Sequence, residues 1–155
     1  MGQINNSWYT SNADDWGTPQ KLFNDLNAEF GFTLDACANE RNFKVENYFD
    51  VEVDGLKQKW EGVVWCNPPY GRTIKEWMAK AYGSWREGGA TVVCLVPART
   101  DTGWWHDYAA KAPEIRFIRG RLKFERDGKA GDSAPFPSAI IIFRNEDQQQ
   151  EGQNG

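Results

Sequence analysis

Histidine occurs once in the 155 residues, at position 106, and cysteine three times, at positions 37, 66 and 94. Their positions do not match any metal-ligand spacing, so no metal site is expected. The cysteines are widely separated in apolar settings, which predicts buried, reduced thiols in a cytoplasmic protein and not a disulfide framework. No apolar run is long enough to cross a bilayer and no secretory leader pattern is present, so neither membrane insertion nor export is expected. An excess of positive charge is also missing. The formal net charge of −4 argues against a non-specific nucleic-acid coat and leaves room only for a local basic face. There is no internal repeat. The length suits one domain with one core, and it leaves no space for a separate recognition domain of ordinary size.

Aromatic residues, by contrast, are plentiful. Eight Trp and nine Phe exceed what a small core needs, and some are expected to line a pocket for a flat ligand. The first 14 residues are polar and rich in Asn and Ser. The stretch 145–155 holds Glu, Gln, Asn, Asp and Gly and is expected to be disordered, because it has no apolar area to bury. A folded domain is therefore expected over 15–144.

Within it, Thr18-Pro19 reads as a helix start, with Thr as N-cap and Pro at the first helical position. Leu22, Phe23, Leu26 and Phe30 mark one helix face, and Gly31 closes it. Residues 32–35 and 62–66 read as strands, with Tyr48-Phe49 as a possible short strand between them. Residues 72–87 show three- and four-residue apolar steps, from Ile74 to Trp85, and predict a helix. Thr91 to Val96 is an unbroken β-branched and apolar run, as in a strand covered on both faces. A helix is expected over 102–110, and strands over 115–118, 122–125 and 138–143. Strands alternating with helices predict an α/β domain with a mostly parallel sheet, and the consecutive last strands predict an antiparallel hairpin at the sheet edge.

Asn67-Pro68-Pro69-Tyr70 follows the apolar run Val63-Val64-Trp65-Cys66. The tetrapeptide thus sits at the carboxyl end of a buried strand, where open α/β sheets bind ligands. Asn67 offers a side-chain carbonyl oxygen, Pro68 a backbone carbonyl held by the ring of Pro69, and Tyr70 a planar ring. Such a group suits the activation of a flat, weakly nucleophilic amine.

The tetrapeptide resembles the [D/N/S]-P-P-[Y/F/W] box of amino-methyltransferases that use S-adenosylmethionine. More broadly the chain resembles the phage-type DNA adenine-N6-methyltransferase family. The resemblance rests on Asp15-Trp16-Gly17-Thr18-Pro19, Leu34-Asp35-Ala36-Cys37-Ala38, Asp54-Gly55-Leu56, Trp60, the NPPY box and Pro97-Ala98-Arg99-Thr100-Asp101-Thr102. Gly120-Arg121-Leu122-Lys123-Phe124 and Pro135-Phe136-Pro137-Ser138-Ala139 complete it, in the family's order over roughly 15–144. It implies a single Rossmann-like class I methyltransferase domain acting on DNA in a bacterial cytoplasm. Asn67 Oδ1 and the Pro68 carbonyl would accept from the N6 amine of a flipped adenine, and Tyr70 would stack on the base. Trp16, Thr18, Pro19, Asp35, Ala36, Cys37, Asp54 and Asn67 would bind the cofactor, with Asp35 near its ammonium group and Asp54, Asp50 or Glu52 near its adenosine. A free helix N-terminus after Trp16 would meet its carboxylate. The glycine-rich loop that many methyltransferases carry after the acid at position 35 is missing.

Arg99 follows a parallel strand and could touch phosphate. Arg116, Arg119, Arg121 and Lys123 lie in a basic interval, where alternate positions 119, 121 and 123 would share one face of an extended segment. His106 has no role in this chemistry. Two alternatives share the motif: methylation of RNA or of a protein glutamine amide, and a degenerate methyltransferase fold that binds nucleic acid without turnover.

Overall fold

The computed structural model describes residues 16–145. The expectations for the polar segment 1–14, for Asp15 and for the tail from 146 onward fall outside the described residues.

The chain runs α1 (Gln20–Phe30), β1 (Leu34–Asp35), β2 (Val63–Cys66), α2 (Ile74–Arg86), β3 (Thr91–Pro97), α3 (Gly103–Asp107), β4 (Glu114–Phe117), β5 (Lys123–Arg126), β6 (Lys129–Ser133) and β7 (Ser138–Phe143). Five strands form one sheet in the order β1-β2-β3-β7-β4. β1, β2 and β3 are parallel, and β7 runs antiparallel to both its neighbours, so β4 points the same way as β1 to β3. This is an open, mostly parallel α/β sheet of the Rossmann-like kind. The loops after β1, β2, β3 and β4 consequently share one edge, and that edge carries Asp35, Asn67, Arg99 and Arg119.

The centre of the sheet is covered on both faces because its strands there are almost wholly apolar. Every residue of β3 and β7 is buried. Trp65 pairs with Val93, and Val93 with Ile142, so these share a face. On it Phe23 of α1 meets the Trp65 ring edge-on at 5.5 Å. Val64, Val92 and Phe143 share the opposite face, where Phe143 meets Trp85 and Tyr82 of α2. Aromatic pairs at these distances add to the free energy of area burial and fix the packing of each helix.

Three local expectations need correction. The first helix begins at Gln20, with Pro19 in the N-cap position and no side-chain cap. Thr18 is unavailable as a cap because its hydroxyl accepts from Asn67 instead. Residues 48–49 form only a single parallel bridge, Tyr48 to Asp35, and not a strand. The consecutive strands β5 and β6 do make a hairpin, but as a separate two-stranded sheet; the antiparallel strand in the main sheet is β7. β6, Lys-Ala-Gly-Asp-Ser, was invisible to periodicity because all five residues are exposed.

Candidate active site

At the carboxyl edge of β1 and β2 lies an open cleft lined by Trp16, Thr18, Asp35, Cys37, Lys44, Asn67 and Pro68 among others. Four segments build it. The loop after β2 brings Asn67, the loop after β1 brings Cys37 and Ala38, the polar stretch 39–44 folds over, and residues 16–18 close one side.

Asn67 is the best-held side chain in the cleft. Its Nδ2 donates to the Trp16 carbonyl at 2.5 Å and to Thr18 Oγ1 at 3.1 Å. A backbone carbonyl only accepts, so the amide orientation is fixed: nitrogen toward Trp16, oxygen away from it. On the oxygen side, the Tyr70 hydroxyl lies 2.6 Å from Asn67 Oδ1 and 3.1 Å from the Leu95 carbonyl. Having one proton, the hydroxyl gives it chiefly to the shorter contact. Burial pushes the Tyr70 phenol well above its ordinary pKa, so it remains a donor. One lone pair of Oδ1 is left for a ligand.

Tyr70 itself is not laid out as an open stacking platform. Its ring is only 5% exposed. Trp16 stacks along it at 6.3 Å, and Phe124 and Phe136 meet it edge-on. Trp16 and Trp65, not Tyr70, line the cleft.

Asp35 is 2% exposed, and its carboxyl accepts from the backbone N–H groups of Lys44 at 2.9 Å and Cys37 at 3.4 Å. Burial outweighs these bonds and raises its pKa to about 7. Burial lowers the pKa of Lys44, whose Nζ donates to Gln20 Oε1 at 2.7 Å. No local pattern in the sequence marks Lys44 as a cleft residue. Asn39 and Asn42, which interlock through side chain–backbone bonds, likewise line the cleft.

Three expected cofactor contacts lie off the cleft lining. Pro19 serves as the N-cap residue of α1. Ala36 is fully buried beneath it. Asp54 adopts φ 63° and accepts from the Leu56 N–H, capping the turn at Gly55–Lys57. At the start of α1 the Gln20 N–H is taken, donating to Glu125 Oε2 at 3.1 Å.

A family model described as DNA N-6-adenine-methyltransferase (Dam) matches residues 6–152. The chain belongs to that family. It is 31% identical over 139 residues to the DNA N-6-adenine-methyltransferase of Haemophilus phage HP1, covering 86% of this chain and 80% of the relative. With that of Escherichia phage T1 it shares 32% over 118 residues, covering 74% of this chain and 49% of the relative. Among solved structures it overlaps one named as a candidate methyltransferase complexed with SAH, at a TM-score of 0.40 and 14% identity, over 64% of this chain and 24% of that one. So partial an overlap says nothing about the ligand of this Dam-family chain.

The cations read as DNA contacts divide in two. Arg116 makes a bidentate pair with Glu29 at 2.6 and 2.7 Å and bonds Glu114 at 2.6 Å. These carboxylates raise its pKa and occupy its fork, so it braces α1 against β4 in place of the expected phosphate contact. Arg99 is exposed over the Phe136 ring, 5.6 Å from its centroid. Arg119, Arg121 and Lys123 are exposed at the loop after β4. They do not share one extended segment, because Gly120 turns the chain with φ 78° and β5 starts only at Lys123. His106 bonds the Thr100 carbonyl at 2.8 Å and lies away from the cleft lining. Among the described residues no cluster of metal-binding side chains occurs, and no helix is long and apolar enough to cross a membrane.

Proposed function

We propose that this Dam-family chain transfers a methyl group from S-adenosylmethionine to the N6 amine of an adenine flipped out of DNA. The observation that carries the reading is the fixed amide of Asn67, with an oxygen lone pair open beside a cleft at the carboxyl edge of the sheet.

The cleft suits the amino-acid end of that cofactor. Asp35 and Lys44 line it with opposite formal charges, complementing an ammonium and a carboxylate. Lys44 takes the carboxylate role that a free helix N-terminus would otherwise fill. The parallel bridge from Asp35 to Tyr48 puts Asp50 just beyond the sheet at the same edge. Asp50, in place of Asp54, is the acid proposed to meet the ribose. When bound, the cofactor supplies a methyl group already activated on a sulfonium.

The chain's own part is to make a poor nucleophile attack. The lone pair of an exocyclic amine is delocalised into the adenine ring. Asn67 Oδ1 and the Pro68 carbonyl accept its two N–H groups, favour a tetrahedral nitrogen and localise the lone pair. Holding that nitrogen in line supplies most of the acceleration. Tyr70 fixes the oxygen rather than stacking on the base. Arg99, Arg119, Arg121 and Lys123 take the DNA phosphates.

The test is incubation with labelled S-adenosylmethionine and unmethylated DNA, RNA or protein, followed by mass spectrometry. N6-methyladenine in the DNA, absent with Asn67→Ala, supports the reading. Label in RNA or in glutamine alone replaces it, and no transfer by a cofactor-binding, folded sample rejects it.

A further inference from the structure

Resting on that reading, we propose that Thr18 and Glu125 are positioning residues for Asn67, joined into one device by the segment 16–20. Thr18 is expected from the family resemblance to touch cofactor. Its geometry assigns it a different task.

Thr18 is 3% exposed, and its Oγ1 accepts one of the two Nδ2 protons of Asn67. The other goes to the Trp16 carbonyl. Both donors of the amide therefore end on residues two apart in one extended segment. That segment is not part of the main sheet. It is held by the β5–β6 hairpin: the Gly17 N–H donates to the Glu125 carbonyl at 3.1 Å, and the Glu125 N–H donates to the Gly17 carbonyl at 2.8 Å. The same residue's carboxylate accepts from the Gln20 N–H at 3.1 Å, pinning the far end where α1 starts. A side chain at Gly17 would run into the Glu125 carbonyl, so the approach requires glycine.

The direction of Asn67 Oδ1 thus depends on where residue 125 holds residues 16–20. Rotating the amide by half a turn would set its oxygen against the Trp16 carbonyl, two acceptors face to face. Thr18 alone would tolerate either orientation, since a hydroxyl can donate or accept, so it sets the precise tilt and the carbonyl sets the sense. The hairpin that carries Glu125 also carries exposed Lys123 and Lys129. A nucleic-acid ligand on its outer side and the amide at the cleft therefore share a single covalent strand, β5.

The test uses the full chain. Thr18→Val keeps the branched shape and removes the acceptor. Single-turnover methyl transfer at saturating S-adenosylmethionine and duplex DNA is expected to slow at least tenfold, with SAH affinity within twofold of the parent and Thr18→Ser restoring the rate. Glu125→Ala is expected to act in the same direction, and Glu125→Gln, which keeps an oxygen for Gln20, to recover most of it. The second readout is independent of turnover. The side-chain NH₂ signals of Asn67, assigned by their loss in Asn67→Ser, should exchange with water at least tenfold faster in Thr18→Val and Glu125→Ala. An unchanged rate, a rate loss matched by lost SAH affinity, or unaltered NH₂ exchange would each overturn the proposal. A parent protein that leaves adenine unmethylated would remove the proposed function, while the exchange measurement would still decide whether Thr18 and Glu125 hold the amide.

Discussion

Tyr70 gives its hydroxyl proton to Asn67 Oδ1 across 2.6 Å, so the amide oxygen is polarised from one side and open on the other. Asn67→Ala removes an acceptor that matters most when the amine becomes tetrahedral. Its transfer rate should fall by about 10²–10³, the usual loss when one such group is deleted, with SAH affinity nearly unchanged. Tyr70→Phe keeps the ring among Trp16, Phe124 and Phe136 and should cost about tenfold in rate, since Oδ1 survives without its polarising partner. Pre-steady-state kinetics on both variants, with calorimetric SAH binding, checks this; equal losses in rate and affinity would count against it.

Asp35 carries a pH dependence of definite sign. Burial holds its pKa at about 7, against 3.8 for an ordinary aspartate. Between those values the folded protein keeps a proton that the unfolded chain has released. Its contribution to stability therefore declines as pH rises through that window and is constant above it. A ligand ammonium favours the carboxylate, so SAH affinity should climb with pH up to about 7, with proton release on binding. Calorimetry in two buffers of different ionisation enthalpy counts that proton. Asp35→Asn should bind more weakly and with no pH slope across the window; a parent affinity flat in pH refutes the assignment.

Arg116 and Arg121 should separate cleanly. Arg116→Ala breaks a partly exposed bidentate brace and should cost about 1 kcal/mol of stability or less, leaving DNA affinity and its salt slope alone. Arg121→Ala should leave stability almost intact, weaken DNA binding and shrink the salt slope by about one. Anisotropy titrations at several salt concentrations, beside urea melts, distinguish the two. The reverse pattern would move the DNA face onto β4.

Gly17→Ala forces a methyl group against the Glu125 carbonyl. Overpacking of this kind should cost about 1–3 kcal/mol of stability. It should also slow methyl transfer more than it weakens SAH binding. Urea melts and single-turnover rates measure both, and a stable, fully active Gly17→Ala protein would show that the Gly17–Glu125 approach is dispensable.

Much of this was legible in the sequence because the strong signals are local. The apolar run before Asn67, the periodicity from Ile74 to Trp85 and the buried strand from Thr91 onward depend on their own residues, and each became the element expected. The NPPY box could be read for the same reason. The misreadings come from long-range partners. Arg116 looks like a free cation until Glu29, 87 positions away, takes its fork. Thr18 looks like a helix cap until Asn67, 49 positions on, claims its hydroxyl. Tyr70 looks like a platform until Phe124 and Phe136 close around it. Lys44 has no neighbour in sequence that marks it, and its position follows from a backbone bond to Asp35.

β4 touches the main sheet only through β7, the last strand in the chain. During synthesis, then, residues 114–117 have no slot to enter until 138–143 have left the ribosome. The nascent protein can assemble β1, β2, β3 and both long helices early, but the amide of Asn67 is set only once Glu125 has joined residues 16–20. The Arg119–Lys123 loop must wait, tethered to an unpaired strand that bears Ile115 and Phe117. Translation order thus separates the two halves of the molecule in time, and a ribosome stalled before Ser138 would display a sticky β-edge that invites aggregation.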